Sequence, residues 1–173
     1  MRIILGDTSK FRNKRNSQIS GQIHKFRDLE LDLDLGRQVL DLAALAHEAI
    51  DASGVSVAVE VVEPTSVVGD HQYLVQVLVN LLQNARDAAD TVTLRVEGHR
   101  VTVQDDGPGV PASVNPFQPF VTTKAKGTGL GLAICRKLCR TMEAEIELAP
   151  GQPTRFVVSL LPASAGGSEA HTG

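Results

Sequence analysis

Two glycine clusters constrain this chain more than any other feature: Asp105-Asp106-Gly107-Pro108-Gly109 and Gly127-Thr128-Gly129-Leu130-Gly131. Between them lie Phe117, Phe120 and the run Thr122-Thr123-Lys124-Ala125-Lys126. Glycine costs chain entropy and is tolerated where backbone turns sharply or approaches a ligand closely. Two such clusters flanking a loop of hydroxyls and lysines predict a lid over a polyanion. The regular structure must then come from the segments on either side.

Those segments alternate in period. Residues 1–16 show no clear period, and Ile19, Ile23 and Phe26 then form a short helical stripe. Leu29, Leu31, Leu33 and Leu35 alternate with acids, as in a half-buried strand. Residues 37–52 read as an amphipathic helix on Leu40, Ala44, Leu45 and Ile50. Val55–Val62 is rich in β-branched residues and ends at Pro64, which predicts a strand. A brief strand at Ser66–Val68 leads to Asp70, a candidate cap for the next helix. That helix, His71 to Ala89, is the most periodic piece: Leu74, Val77, Leu78, Leu81, Leu82 and Ala85 make one wide apolar face. Strands at Val92–Val96 and Val101–Gln104, a helix at Leu130–Met142 and closing strands at Glu145–Leu148 and Arg155–Leu161 complete the order. This order predicts an α/β (α+β) two-layer sandwich, a mixed sheet covered on one face by three helices.

At 173 residues, with 42% hydrophobic and 21% charged side chains, the chain is sized for one globular domain. No apolar run approaches the roughly 18 residues of a membrane span, and no secretory apolar core opens the chain, so a cytoplasmic location is expected. The net charge of −3 is uneven: residues 1–27 carry seven basic side chains against Asp7 alone. Such a segment could touch acidic lipid or nucleic acid, or be a solvated helix or linker, and the second reading is preferred. Cys135 and Cys139, four apart with no His or Cys cluster nearby, read as small core residues rather than as a zinc site or disulfide.

On the helix 71–89, Asn80 and Asn84 stand one turn apart, with Asp87 a step further. Each Asn costs roughly 0.5 kcal/mol of helix propensity. Taken alone, they read equally well as solvated amides or as ligands.

Four stretches together then resemble a known family. Leu78–Ala88 is similar to the N box of sensor histidine kinases, and Asp105–Gly109 to their first glycine box. Pro116-Phe117-Gln118-Pro119-Phe120 is similar to their F box, and Gly127–Gly131 to their second glycine box. The likeness spans residues 29–162. It identifies an ATP-binding catalytic domain of the GHKL superfamily, with its Bergerat fold and a mostly antiparallel sheet. The short Pro-Phe-Val-Thr-Thr-Lys lid is most like that of the nitrogen-regulation and dicarboxylate-sensing kinases.

The resemblance implies ATP and Mg²⁺ as cofactors and gives roles residue by residue. Asp105 would accept a hydrogen bond from the adenine amino group, beside Gly107, Gly109 and Val110. Asn84 would offer its amide oxygen to Mg²⁺, a hard ligand for a hard ion, with Asn80 assisting and Asp87 nearby. Gly127, Thr128, Gly129, Leu130 and Gly131 open a helix and would receive phosphates on free N–H groups. Thr122, Thr123, Lys124 and Lys126 would bind and neutralise the γ-phosphate, although the lysines also read as a solvated loop. Phe117 and Phe120 would pin the lid to the domain. ATP-hydrolysing members such as gyrase and heat-shock chaperones resemble this chain but carry glutamate where Asn80 stands. A neutral amide cannot take a proton from attacking water, which favours phosphoryl transfer to an acceptor that is already nucleophilic. Asn80 and Lys124 are therefore the candidate catalytic residues.

The expected acceptor is a histidine on a dimerisation domain outside this chain. His47-Glu48 lacks the surroundings of that box, and His24 fits no better. Residues 1–28 are expected to be a stub of the dimerisation helix or foreign to the domain, 29–162 the catalytic domain, and 163–173 a disordered tail. Expected partners are the dimerisation domain and, downstream, a response-regulator receiver domain, with no nucleic acid and no direct membrane span. Dimerisation would run only through the missing helices. The alternatives are a nucleotide-gated interaction module without kinase activity, or an ATP-hydrolysing switch. Glu143-Ala144 and Pro153-Thr154 depart from the family pattern (Gly-Gly and Gly-Thr), and both are expected to affect only turns away from the nucleotide.

Overall fold

The structure, a computed structural model, describes residues 36–63, 65–122 and 128–163. The elements run β1 (Arg37–Asp41), α1 (Leu42–Ser53), β2 (Ala58–Glu63), β3 (Ser66–Asp70), α2 (His71–Ala88), β4 (Val92–Glu97), β5 (Arg100–Asp105), α3 (Gly131–Thr141), β6 (Glu145–Ala149), β7 (Thr154–Ser159) and β8 (Leu161–Pro162). The expected helical stripe at 19–26, the strand at 29–35 and the tail beyond 163 lie outside the described residues.

The α/β sandwich is the architecture observed, with its strands divided between two sheets rather than gathered in one. Five strands pair in the order β2-β4-β5-β7-β6, with β2 parallel to β4 and the other pairs antiparallel. Three strands form a second, antiparallel sheet in the order β1-β3-β8. Three helices are present among the described residues, and α2 packs between α1 and α3.

Residues 37–41 correct the sequence reading. They form a strand, not the first turn of a helix, because β1 pairs with β3 from Arg37↔Asp70 to Asp41↔Ser66. The helix starts only after Asp41, whose carboxylate accepts from the backbone N–H groups of Ala43 and Ala44 at 2.9 and 3.1 Å. Asp70 caps α2 as expected, accepting from the Tyr73 N–H at 3.1 Å.

Period-2 alternation decides what faces the helices. Val92, Leu94 and Val96 of β4, Val101 and Val103 of β5, and Phe156 and Val158 of β7 are buried in one core with the predicted face of α2. Full burial of one such aliphatic side chain contributes about 1.5–3 kcal/mol, so these rows set the register firmly. The same alternation carries two polar residues inward. Asp105 is the next inward position after Val103, and Thr154 is the one before Phe156.

Candidate functional site

Asp105 and Thr154 are the buried polar side chains among the described residues, at 3% and 5% exposure, and they stand directly opposite each other in the β5–β7 register. Both line a cavity of about 550 Å³. Asp105 Oδ1 accepts the Gly107 N–H at 3.0 Å. Thr154 Oγ1 is buried without a hydrogen-bond partner among the described residues. An unmet buried hydroxyl costs about 1–3 kcal/mol, and this one belongs to a residue that lines the cavity. The expectation that Pro153-Thr154 lies away from the site is therefore corrected.

The polar margin of α2 supplies the adjoining wall. Asn80, Asn84 and Asp87 all line the cavity, because their positions flank the apolar stripe that turns α2 to the sheet. Behind Asn80 lies Cys135, fully buried on α3. Burial pushes the Cys135 thiol up to about 12, partly opposed by a hydrogen bond from the Asn80 side chain. The thiol also points at the Val77 carbonyl, with Sγ 3.8 Å from the oxygen.

Opposite Asn84, helix α3 begins at Gly131, where a Cβ would lie 4.0 Å from Asn84 Nδ2. No side chain caps this helix among the described residues, and its first turn holds no acid. A helix start of this kind presents leading N–H groups and a positive dipole end, which suit an anion. Gly129, with φ at +67°, sits just before it and accepts the Phe120 N–H at 2.9 Å.

The loop after β5 forms the last wall. Gly107 does not line the cavity. It fills the space between Asp105 and Ala88, where a Cβ would meet Asp105 Oδ1 at 2.8 Å and the Ala88 carbonyl at 2.9 Å. Gly109 and Val110 do line it.

The structure brings together ten of the expected residues: Asn80, Asn84, Asp87, Asp105, Gly109, Val110, Thr122, Thr128, Gly129 and Gly131. Three expected residues take other places. Gly107 is a spacer, Leu130 is buried in the core, and Phe120 is 67% exposed, its ring outside the core of the described residues. Phe117 does anchor: its ring meets Phe156 edge-on at 6.0 Å and lies 5.5 Å from the Arg136 guanidinium. Thr123, Lys124, Lys126 and Gly127 lie outside the described residues. His47 is exposed on α1, its Nδ1 2.8 Å from the Ala43 carbonyl. A separate groove of about 620 Å³ beside Phe117, Arg136 and Arg140 contains none of the expected ligand-binding residues.

Comparison with known proteins agrees with this geometry. Residues 69–164 match the family model described as histidine kinase-, DNA gyrase B-, and HSP90-like ATPase. The chain is 39% identical over 116 residues to the sensory histidine kinase/phosphatase NtrB of Rhodobacter capsulatus, covering 53% of this chain and 32% of that protein. It is 40% identical over 104 residues to the C4-dicarboxylate transport sensor protein DctB of Rhizobium meliloti, covering 53% of this chain and 17% of that one. The chain thus matches a third or less of the length of these relatives. Full-length ShkA, solved in complex with AMPPNP, superposes at a TM-score of 0.72 with 25% identity over 95% of this chain and 41% of that chain. The catalytic domain of the histidine kinase ThkA superposes at 0.59 with 29% identity, over 72% of this chain and 95% of that domain. With more than half its length inside the family model, and with the fold of these kinase domains, the chain belongs to the histidine kinase-, DNA gyrase B-, and HSP90-like ATPase family.

Proposed function

We propose that this chain is the ATP- and Mg²⁺-binding catalytic unit of a cytoplasmic sensor histidine kinase segment. It would transfer the γ-phosphoryl group to a histidine on a dimerisation domain outside this chain. The observation that carries the reading is one cavity with two chemically opposite ends: the buried Asp105–Thr154 pair and the start of α3, which no described side chain caps. A carboxylate beside a hydroxyl suits an exocyclic amine and its ring nitrogen. A helix N-terminus suits phosphate. Adenosine triphosphate has both.

The residues divide the work. Asp105 accepts from the adenine amino group, and Thr154 supplies a hydroxyl that no described residue satisfies. The Asn80 and Asn84 amide oxygens fit Mg²⁺ as hard, neutral donors. When bound, the ion neutralises charge across the phosphates. Asn80 offers no base for water, so the chain's contribution is to orient and to hold charge rather than to abstract a proton. The family likeness adds Lys124 and Lys126 as the groups that would neutralise the terminal phosphate. In the domain layout proposed, 29–162 is the catalytic unit, 1–28 leads in from the dimerisation helices, and 163–173 is a tail. A response-regulator receiver domain would take the phosphoryl group onward.

Isothermal titration with ATP, with and without Mg²⁺, tests binding. Addition in trans of a dimerisation domain carrying an acceptor histidine, read as acid-labile phosphate, tests transfer. A folded chain that shows no heat with millimolar ATP would overturn the nucleotide reading. Binding without any phosphohistidine would leave a nucleotide-gated interaction module in its place.

A further inference from the structure

Strand β5 ends where β7 begins, because the two run antiparallel with Asp105 opposite Thr154. The loop leaving β5 and the turn entering β7 therefore emerge side by side above the buried pair. Those two segments are joined by one side chain. Gln152 Nε2 donates to the Pro108 carbonyl at 2.8 Å. The same side chain runs beside Gly109, where a Cβ would lie 3.1 Å from Gln152 Nε2 and 3.7 Å from its Cγ. Gly109, at φ +83°, is thus required twice, for its backbone conformation and for the room it leaves Gln152.

The loop has two other ties. Gly107 N–H reaches back to Asp105 Oδ1, and Asp106 Oδ1 accepts the Thr91 N–H at 3.3 Å. Both hold the first half of the loop to the strands behind it. Pro108 and Gly109, which line the cavity, are held from outside by Gln152, which does not line it. We propose that Gln152 is a positioning residue: it latches the glycine-box loop to the β6–β7 turn and so fixes the rim over the Asp105–Thr154 floor. This rests on the nucleotide reading, and it assigns the latch to the adenine end of the site.

The latch needs a donor at position 152. Gln152→Ala removes it, Gln152→Glu keeps the shape but sets a carboxylate against a carbonyl, and Gln152→Lys restores a donor on a slightly longer arm. Titrations of the full chain with ATP and with ADP, both with Mg²⁺, read the effect. A single net hydrogen bond corresponds to about a 3- to 10-fold change in Kd, expected for Gln152→Ala by the same factor for both nucleotides. Gln152→Glu should weaken both further, and Gln152→Lys should return both to within about twofold of the parent. Gln152 is exposed, so nucleotide-free melting midpoints should stay within about 2 °C. Parent-like binding by Gln152→Ala overturns the latch. So does a loss confined to ATP, which would belong to the phosphate end, or a loss that tracks a fallen melting midpoint in all three variants. A parent chain that binds neither nucleotide overturns the nucleotide reading itself, before any variant is compared.

Discussion

The Phe120 N–H donates to the Gly129 carbonyl at 2.9 Å, and both residues occupy the left-handed backbone region, at φ +65° and +67°. Phe120 and Gly129, nine residues apart, are therefore stitched backbone to backbone. The contact is so close that a Cβ on Gly129 would fall 2.5 Å from the Phe120 carbonyl carbon and 2.7 Å from its Cα. Two aromatic residues in one motif thus do different things. Phe117 packs with its ring, and Phe120 contributes its main chain.

Gly129→Ala should consequently destabilise the chain by about 2 kcal/mol or more, since left-handed strain adds to a clash with backbone that cannot rotate away. Gly131→Ala is the matched control: its Cβ would find Asn84 Nδ2 at 4.0 Å and no positive φ. Urea unfolding of the two variants should separate them clearly, with Gly131→Ala within about 0.5 kcal/mol of the parent.

Phe120→Asn makes the complementary case. The ring is 67% exposed, so its loss gives up little packing. Asparagine tolerates the left-handed region better than a bulky aromatic. A gain of about 0.5 kcal/mol is expected, again by urea unfolding, and a loss above 1 kcal/mol would show that the ring packs in solution.

What the sequence made legible, and what it hid, divides along the range of the contacts. Helix α2 was readable because its six core residues and its Asp70 cap are all local signals. Residues 37–41 were not, since Leu40 sits at helical spacing from Ala44 and only pairing with the distant β3 makes them a strand. The Asp41 cap was the local clue. Within the site, the glycine boxes and the asparagines announced themselves in short stretches. Thr154 and Gln152 did not, because each acts through a partner more than forty residues away across antiparallel strands. Pro153, standing where the family pattern has glycine, drew attention to the turn, but it says nothing about which wall the turn supports. Glu143 shows the milder form: it takes φ +59° where the pattern has glycine, and its carboxylate pairs with Arg37 of β1.

The buried thiols give a pH prediction. Burial raises Cys135 to about 12 from its ordinary value of 9.0. It raises Cys139 to about 12 as well, helped by the neighbouring Cys135. The fold favours the protonated thiol, so above pH 9 the unfolded chain sheds protons that the folded chain keeps. Stability from this source is complete below about 9 and falls as pH rises toward 12, with a slope of about 1.4 kcal/mol per pH unit for each thiol. Urea unfolding between pH 8 and 11 should show this fall, and Cys139→Ala should flatten it. An unchanged slope in that variant would remove the thiol from the account.

Thr154→Val sets stability against binding at one atom. Valine keeps the shape and deletes a buried hydroxyl that no described residue satisfies. Removing an unmet polar group is neutral or stabilising by about 1 kcal/mol, whereas removing a donor that a ligand uses weakens binding. If Thr154 serves the adenine ring beside Asp105, the variant should unfold at equal or higher urea than the parent and yet bind ATP about 3- to 10-fold more weakly. Asp105→Ala should show a larger loss, because it removes the acceptor for the amino group itself. Should Thr154→Val bind ATP as the parent does, the hydroxyl is a packing feature of β7, and Asp105 alone reads the base.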